Sequence, residues 1–180
     1  MREIALNILD IAENSVKAKA SLIEITVTAA DNILTVTITD NGKGMSKDFL
    51  EKVTDPFTTT RTTRKVGMGI PLFKDAAEMT GGSFEIESEP GRGTRVTARF
   101  VIDSIDRAPL GDISDTAVTL LGPDIDFVWV YTVNGRSFTF DTREIKAELG
   151  DIPIDSPEII SFLRNLLKEN IDSINGGTVL

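Results

Sequence analysis

Four stretches of this chain alternate apolar and polar residues with a period of two, and that alternation restricts the fold more than any other feature. In 22–28, "LIEITVT", Ile23, Ile25 and Val27 share one side; in 33–39, "ILTVTIT", Leu34, Val36 and Ile38 do. Residues 83–88 set Phe84 and Ile86 against Glu85 and Glu87. Residues 94–101 set Val96, Ala98 and Phe100 against Arg95, Thr97 and Arg99. Side chains of a strand point to alternate faces, so each stretch predicts a strand with one buried and one wet face. "DN" at 31–32 and "EPGRG" at 89–93 supply tight connections. On the wet face, Glu85 and Glu87 are expected to pair with Arg95 and Arg99 across strands. A one-faced sheet needs a cover. Apolar spacing predicts helices over 2–18, about 46–53 and about 71–80. The expected architecture is therefore α/β: a two-layer sandwich, a mixed sheet with helices on one face.

From about residue 103 the pattern changes. A helix is expected within 112–121, then a hairpin, "FVWVYTVNGRSFTFDT", with Asn134-Gly135 suited to a type I′ turn. Helices follow over about 142–149 and 157–170, the second opened by Ser156 and Pro157, and the tail "NGGTVL" is expected to fray. The division is thus 1–102 and a smaller α+β region, 103–180, read as an interaction surface, a dimer contact or a cap on the core. Residues 54–70, "TDPFTTTRTTRKVGMGI", have little periodicity, and a loop of that length is usually functional.

Composition removes whole classes of chemistry. Among 180 residues there is no cysteine and no histidine. Disulfides, thiolate metal sites, imidazole bases and a phosphohistidine on this chain are all excluded. The net charge of −9 opposes nucleic acid, and the one cationic cluster is "RTTRK" at 61–65. No apolar run reaches membrane-spanning length and no signal-peptide pattern opens the chain, so no membrane partner and a cytoplasmic location are expected.

Helix 2–18 carries Ile4, Ala5, Ile8, Leu9, Ile11, Ala12 and Val16 on one broad face. Glu3, Asn7, Asp10, Asn14 and Lys17 fill a stripe opposite. Three glycine-bearing stretches then stand between strands: "DNGKGM" at 40–45, "GMGIPL" at 67–72 and "GRGT" at 91–94. Taken singly, the stripe reads as a solvated face and each glycine stretch as a turn.

Their order is far more specific. An acid-x-x-x-Asn helix, a strand ending in DxGxG, a Thr/Arg loop closing on GxG, a helix, and GxGT between strands resemble the GHKL, or Bergerat-fold, ATPases over residues 1 to about 101. That family includes gyrase-type topoisomerases, heat-shock chaperones, histidine kinases and MutL. By this resemblance Asp10 to Asn14 is the N box. Asp40, Gly42 and Gly44 are the first glycine box, Gly67 and Gly69 the second, and Gly91, Gly93 and Thr94 the third. "DPFTTT" at 55–60 is the segment before the lid. The resemblance implies ATP and Mg²⁺ as ligands, with Met45 and Met68 beside the nucleotide. Each match has a physical reason. Asp40 is an acceptor for the adenine amine, Gly42 and Gly44 let backbone curve close to the ring, and Thr94 holds a water beside the base. The N–H groups of Gly67, Gly69 and the helix behind them suit phosphates, and Pro71 fits a first helical position. Asn14 supplies one amide oxygen to Mg²⁺, which takes few protein ligands. Arg61, Arg64 and Lys65 either reach the γ-phosphate or form a solvated loop. The Walker pattern is absent.

Two positions depart from the topoisomerase and MutL branches. The acid that positions the attacking water is Asp10 in place of Glu, and the residue three after Asn14 is Lys17 in place of Asp, as in histidine kinases, where it contacts phosphate. With no histidine and no helical hairpin ahead of the N box, a conventional histidine kinase is not expected; the anti-sigma-factor serine kinases and short stand-alone ATP-binding proteins of anaerobic bacteria are the nearer comparisons. The first expectation is Mg-dependent ATP binding with γ-phosphoryl transfer to a protein partner, Asp10 being the base. The alternatives are an ATP-gated switch, dimerising with slow hydrolysis, and a non-catalytic nucleotide-binding module.

Overall fold

The computed structural model describes residues 3–55 and 68–180. Helix α1 (Ile4–Lys17) is followed by β1 (Leu22–Ala30), β2 (Ile33–Asp40), α2 (Lys47–Val53), α3 (Gly69–Met79), β3 (Ser83–Glu89) and β4 (Gly93–Val101). Then come α4 (Ile113–Thr119), β5 (Asp126–Val133), β6 (Arg136–Asp141), α5 (Thr142–Leu149) and α6 (Pro157–Asn175). The strands form one six-stranded sheet in the order β3-β4-β2-β1-β5-β6. Only β1 and β5 pair in parallel; the other neighbours are antiparallel, so the sheet is mixed. No described helix is long and apolar enough to cross a membrane.

The period-two pattern becomes burial directly. Ile23, Ile25 and Val27 of β1, Leu34, Val36 and Ile38 of β2, and Val96, Ala98 and Phe100 of β4 are all buried. Phe73 of α3 meets Phe100 and Phe84 with ring centroids 5.8 and 6.2 Å away, within the range of favourable aromatic pairs. The hairpin β5–β6 adds Phe127, Trp129, Tyr131, Val133 and Phe140 to the same core. Both predicted two-residue turns have positive φ at both positions, Asp31-Asn32 at 51° and 62° and Asn134-Gly135 at 48° and 81°, as a type I′ hairpin requires. On the wet face Arg99 bridges Glu85 at 2.7 Å, and Glu87 lies opposite Arg95.

Five local expectations need correction. Asn7, assigned to the polar stripe of α1, is buried, whereas Val16, assigned to its apolar face, is 40% exposed. Helix α1 packs against α3 and α4 as well as β2, so its buried arc is turned relative to the one that apolar residues alone define. Helix α3 begins at Gly69, which makes Pro71 its third residue; the first turn still tolerates a missing N–H. Helix α6 continues to Asn175, five residues beyond 170, and ends on the left-handed Gly176. The tail is tied down, because Leu110 N–H donates to the Leu180 carbonyl at 3.2 Å.

Candidate functional site

Asp40 is the last residue of β2 and is only 7% exposed. A carboxylate so placed needs donors, and two reach it. Ser15 Oγ–H donates to Oδ2 at 2.5 Å, and the Gly42 N–H donates to Oδ1 at 2.8 Å. Each oxygen keeps a lone pair for a ligand. The carboxylate forms part of the wall of a cavity of about 290 Å³ lined by Ile11, Ile38, Met45, Phe49, Val53, Ile70 and Val96, with Asn14, Lys17, Lys43 and Thr94 among its polar residues. An apolar slot with one fixed acceptor suits a flat heterocycle bearing an amine.

A second recess, about 300 Å³, opens along α1. It is lined by Asp10, Glu13, Asn14, Lys17, Met68, Gly69 and Leu72. Asn14 and Lys17 line both spaces. The start of α3 stands directly against α1: a Cβ on buried Gly69 would lie 3.0 Å from the Asp10 Cβ. The first-turn N–H groups of α3 are those of Gly69 and Ile70, since Pro71 has none. Lys17 pairs with Glu13 at 3.7 Å, but both side chains are mostly exposed, so the pair holds Lys17 only weakly.

The residues singled out in the sequence are distributed as follows. Asp40, Gly44, Met45 and Thr94 line the first cavity, Asp10, Met68 and Gly69 line the second, and Asn14 and Lys17 join them. Gly42 acts through its N–H on Asp40. Arg61, Arg64, Lys65 and Gly67 lie outside the described residues. Gly44 has a reason other than ligand approach: at φ +66° a Cβ there would fall 2.0 Å from the Glu89 carbonyl oxygen. Sequence reasoning missed Ser15, Lys43, Phe49 and Ser88. Ser15 carried a signal, being a polar residue four places after Ile11 inside the buried arc of α1. Ser88 carried none before its pairing with Thr94 was known; their hydroxyls are 2.8 Å apart. Among the described residues no group of three or more acidic side chains is placed to hold a metal ion.

Known proteins resemble this chain in sequence and in fold. Residues 1–104 match the family described as Histidine kinase-, DNA gyrase B-, and HSP90-like ATPase. Sporulation kinase D of Bacillus subtilis is 35% identical over 99 residues, covering 54% of this chain and 19% of that protein. A putative NtrY-like sensor histidine kinase of Rickettsia conorii is 28% identical over 107 residues, covering 59% of this chain and 18% of that protein. The chain thus matches less than a fifth of the length of either relative. Among solved structures, the N-terminal domain of a DNA repair protein superposes with a TM-score of 0.55 at 12% identity, covering 77% of this chain and 52% of that one, a likeness of fold alone. With the family's model spanning more than half of its residues, over the very segment that builds both recesses, this chain belongs to the histidine kinase-, DNA gyrase B- and HSP90-like ATPases.

Proposed function

We propose that this protein binds Mg-ATP across the two recesses and passes the γ-phosphoryl group to a protein partner. The observation that carries the reading is that one helix, α1, serves two chemically different spaces. Its Ser15 holds the Asp40 acceptor in an apolar slot, and its Asp10 and Asn14 face the start of α3 in a polar recess. A base with an exocyclic amine fits the first, and phosphates beside helix N–H groups fit the second. That the relatives are named as kinases supports transfer. The ATP-binding domain is then 1–102, with 103–180 its extension. Beside phosphate oxygens, the Asn14 amide oxygen is enough to hold Mg²⁺, which when bound neutralises charge developing on the phosphates.

Each side chain has a separate task. Asp40 orients the base, Lys17 meets phosphate, and Asp10 takes the proton of an acceptor hydroxyl. In the transfer the bond from the γ-phosphorus to the β–γ bridging oxygen breaks, ADP leaves with that electron pair, and a bond from phosphorus to the acceptor oxygen forms. Positioning dominates such chemistry.

Calorimetric titration of Mg-ATP into wild type, Asp40→Asn and Asp10→Asn tests this. Asp40→Asn replaces one acceptor by a donor, and losing a hydrogen bond to a charged group should weaken binding by about 10–100-fold. Asp10→Asn should bind as wild type does and lose phosphate release and transfer. Turnover by Asp10→Asn would remove Asp10 as the base. Slow phosphate release by wild type without transfer, together with a nucleotide-dependent dimer, would favour the ATP-gated switch.

A further inference from the structure

Ser88 does not line the first cavity but shares a neighbouring recess with Asp40 and Thr94, and its hydroxyl has three partners. The Met45 N–H donates to Ser88 Oγ at 2.8 Å, Ser88 Oγ lies 3.0 Å from the Gly93 carbonyl oxygen, and the Thr94 hydroxyl is 2.8 Å away. A serine hydroxyl has one proton and two lone pairs. The N–H of Met45 can only donate, so it occupies one lone pair. The carbonyl of Gly93 can only accept, so it takes the proton. The remaining lone pair is free to accept the Thr94 proton, which keeps all three contacts at once. The alternative, Ser88 donating to Thr94, abandons the Gly93 contact.

We infer that Ser88 is a positioning residue that fixes the polarity of Thr94, committing the Thr94 proton backwards and leaving only acceptor lone pairs facing the base. Thr94 is the cross-strand partner of Asp40, and both line the cavity. Asp40 likewise presents an acceptor, because Ser15 and Gly42 fill its other sites. Two neighbouring acceptors make a surface matched to a group with protons to give, the two N–H bonds of a 6-amino purine. A 6-keto purine offers an oxygen there and meets lone pairs on both sides. Discrimination against the keto base is thus divided between Asp40, which touches the ligand, and Ser88, which does not line the cavity. This rests on the assignment of the cavity to the base of ATP.

The test compares ATP with inosine triphosphate, which differs from it only in having a 6-keto group and N1–H. Dissociation constants of both are measured for wild type, Ser88→Ala and Ser88→Thr, with thermal unfolding as a check on folding. In Ser88→Ala the Thr94 hydroxyl is free to turn and donate, so the inosine-to-ATP ratio of dissociation constants should fall by about five- to tenfold. Ser88→Thr keeps the hydroxyl and should keep the ratio. A purely structural role would weaken both ligands alike and leave the ratio unmoved. An unmoved ratio in folded Ser88→Ala, or an equal fall in Ser88→Thr, overturns the inference. Failure of wild type to bind ATP would instead overturn the nucleotide assignment beneath it.

Discussion

At the scale of single residues, glycine chemistry separates folding from binding. Gly44 and Gly91 both have positive φ, +66° and +78°, yet their surroundings differ. A Cβ on Gly44 would collide with the Glu89 carbonyl, and one on Gly91 would meet nothing within 4 Å. Gly91→Ala should therefore cost only the left-handed strain, about 1–2 kcal/mol. Gly44→Ala should cost more, because backbone must move as well. Thermal unfolding without nucleotide checks this, and equal melting temperatures for the two variants would refute it. Asp40, Gly42 and Gly44 could be singled out because they crowd one short stretch at the end of a predicted strand. Ser15 and Ser88 were not legible, because each matters through a partner that only the fold brings close. Ser15 reaches Asp40 across 25 residues, and Ser88 needs the β3–β4 register to face Thr94.

Elements were legible where one face of a strand meets one core, and less so where a helix has several neighbours. The buried Asn7 and exposed Val16 of α1 follow from α3 and α4 flanking it, an arrangement that periodicity cannot supply. The contact between β5 and α6 gives a pH test of such packing. Tyr131 of β5 donates its hydroxyl proton to Asn175 Oδ1 at the end of α6, at 2.7 Å. Burial pushes the phenol from 10.0 up to about 12, and the Asp172 charge adds to the rise. The folded protein thus keeps a proton that the unfolded chain loses near its ordinary value. This contribution to stability is complete below about pH 10 and is lost as pH rises toward 12. Tyr131 is the only tyrosine, so tyrosinate absorbance reads this one group. A midpoint near 12 with circular dichroism intact is expected, and a midpoint near 10 in the folded protein would show that the phenol is not buried there. Tyr131→Phe should remove this alkaline loss of stability.

For the whole molecule, the question is whether the part that matches the ATPase family, 1–104, is also the part that folds. Its helix α1 starts on carbonyls from beyond that part: Ile4 N–H donates to Pro109 and Ala5 N–H to Leu110, at 3.0 and 2.8 Å. Strand β1 is flanked on its outer side by β5 in parallel register from Leu22↔Asp126 to Ala29↔Val133. Removing residues 103–180 would expose that edge, a template for aggregation. It would also strip Phe127, Trp129, Tyr131 and Val133 from the core, where each is at most 4% exposed. At about 1.5–3 kcal/mol for each such side chain, the loss is about 6–12 kcal/mol. A whole domain is typically stable by only about 5–15 kcal/mol. The fragment 1–102 should therefore aggregate or unfold without a cooperative transition, although it carries every residue proposed to touch ATP. Cooperative melting of that fragment, with the nucleotide affinity of the full chain, would show that 103–180 is an appended module. The expected failure would show that the extension is a structural part of the ATPase fold, tied to the nucleotide site through α1.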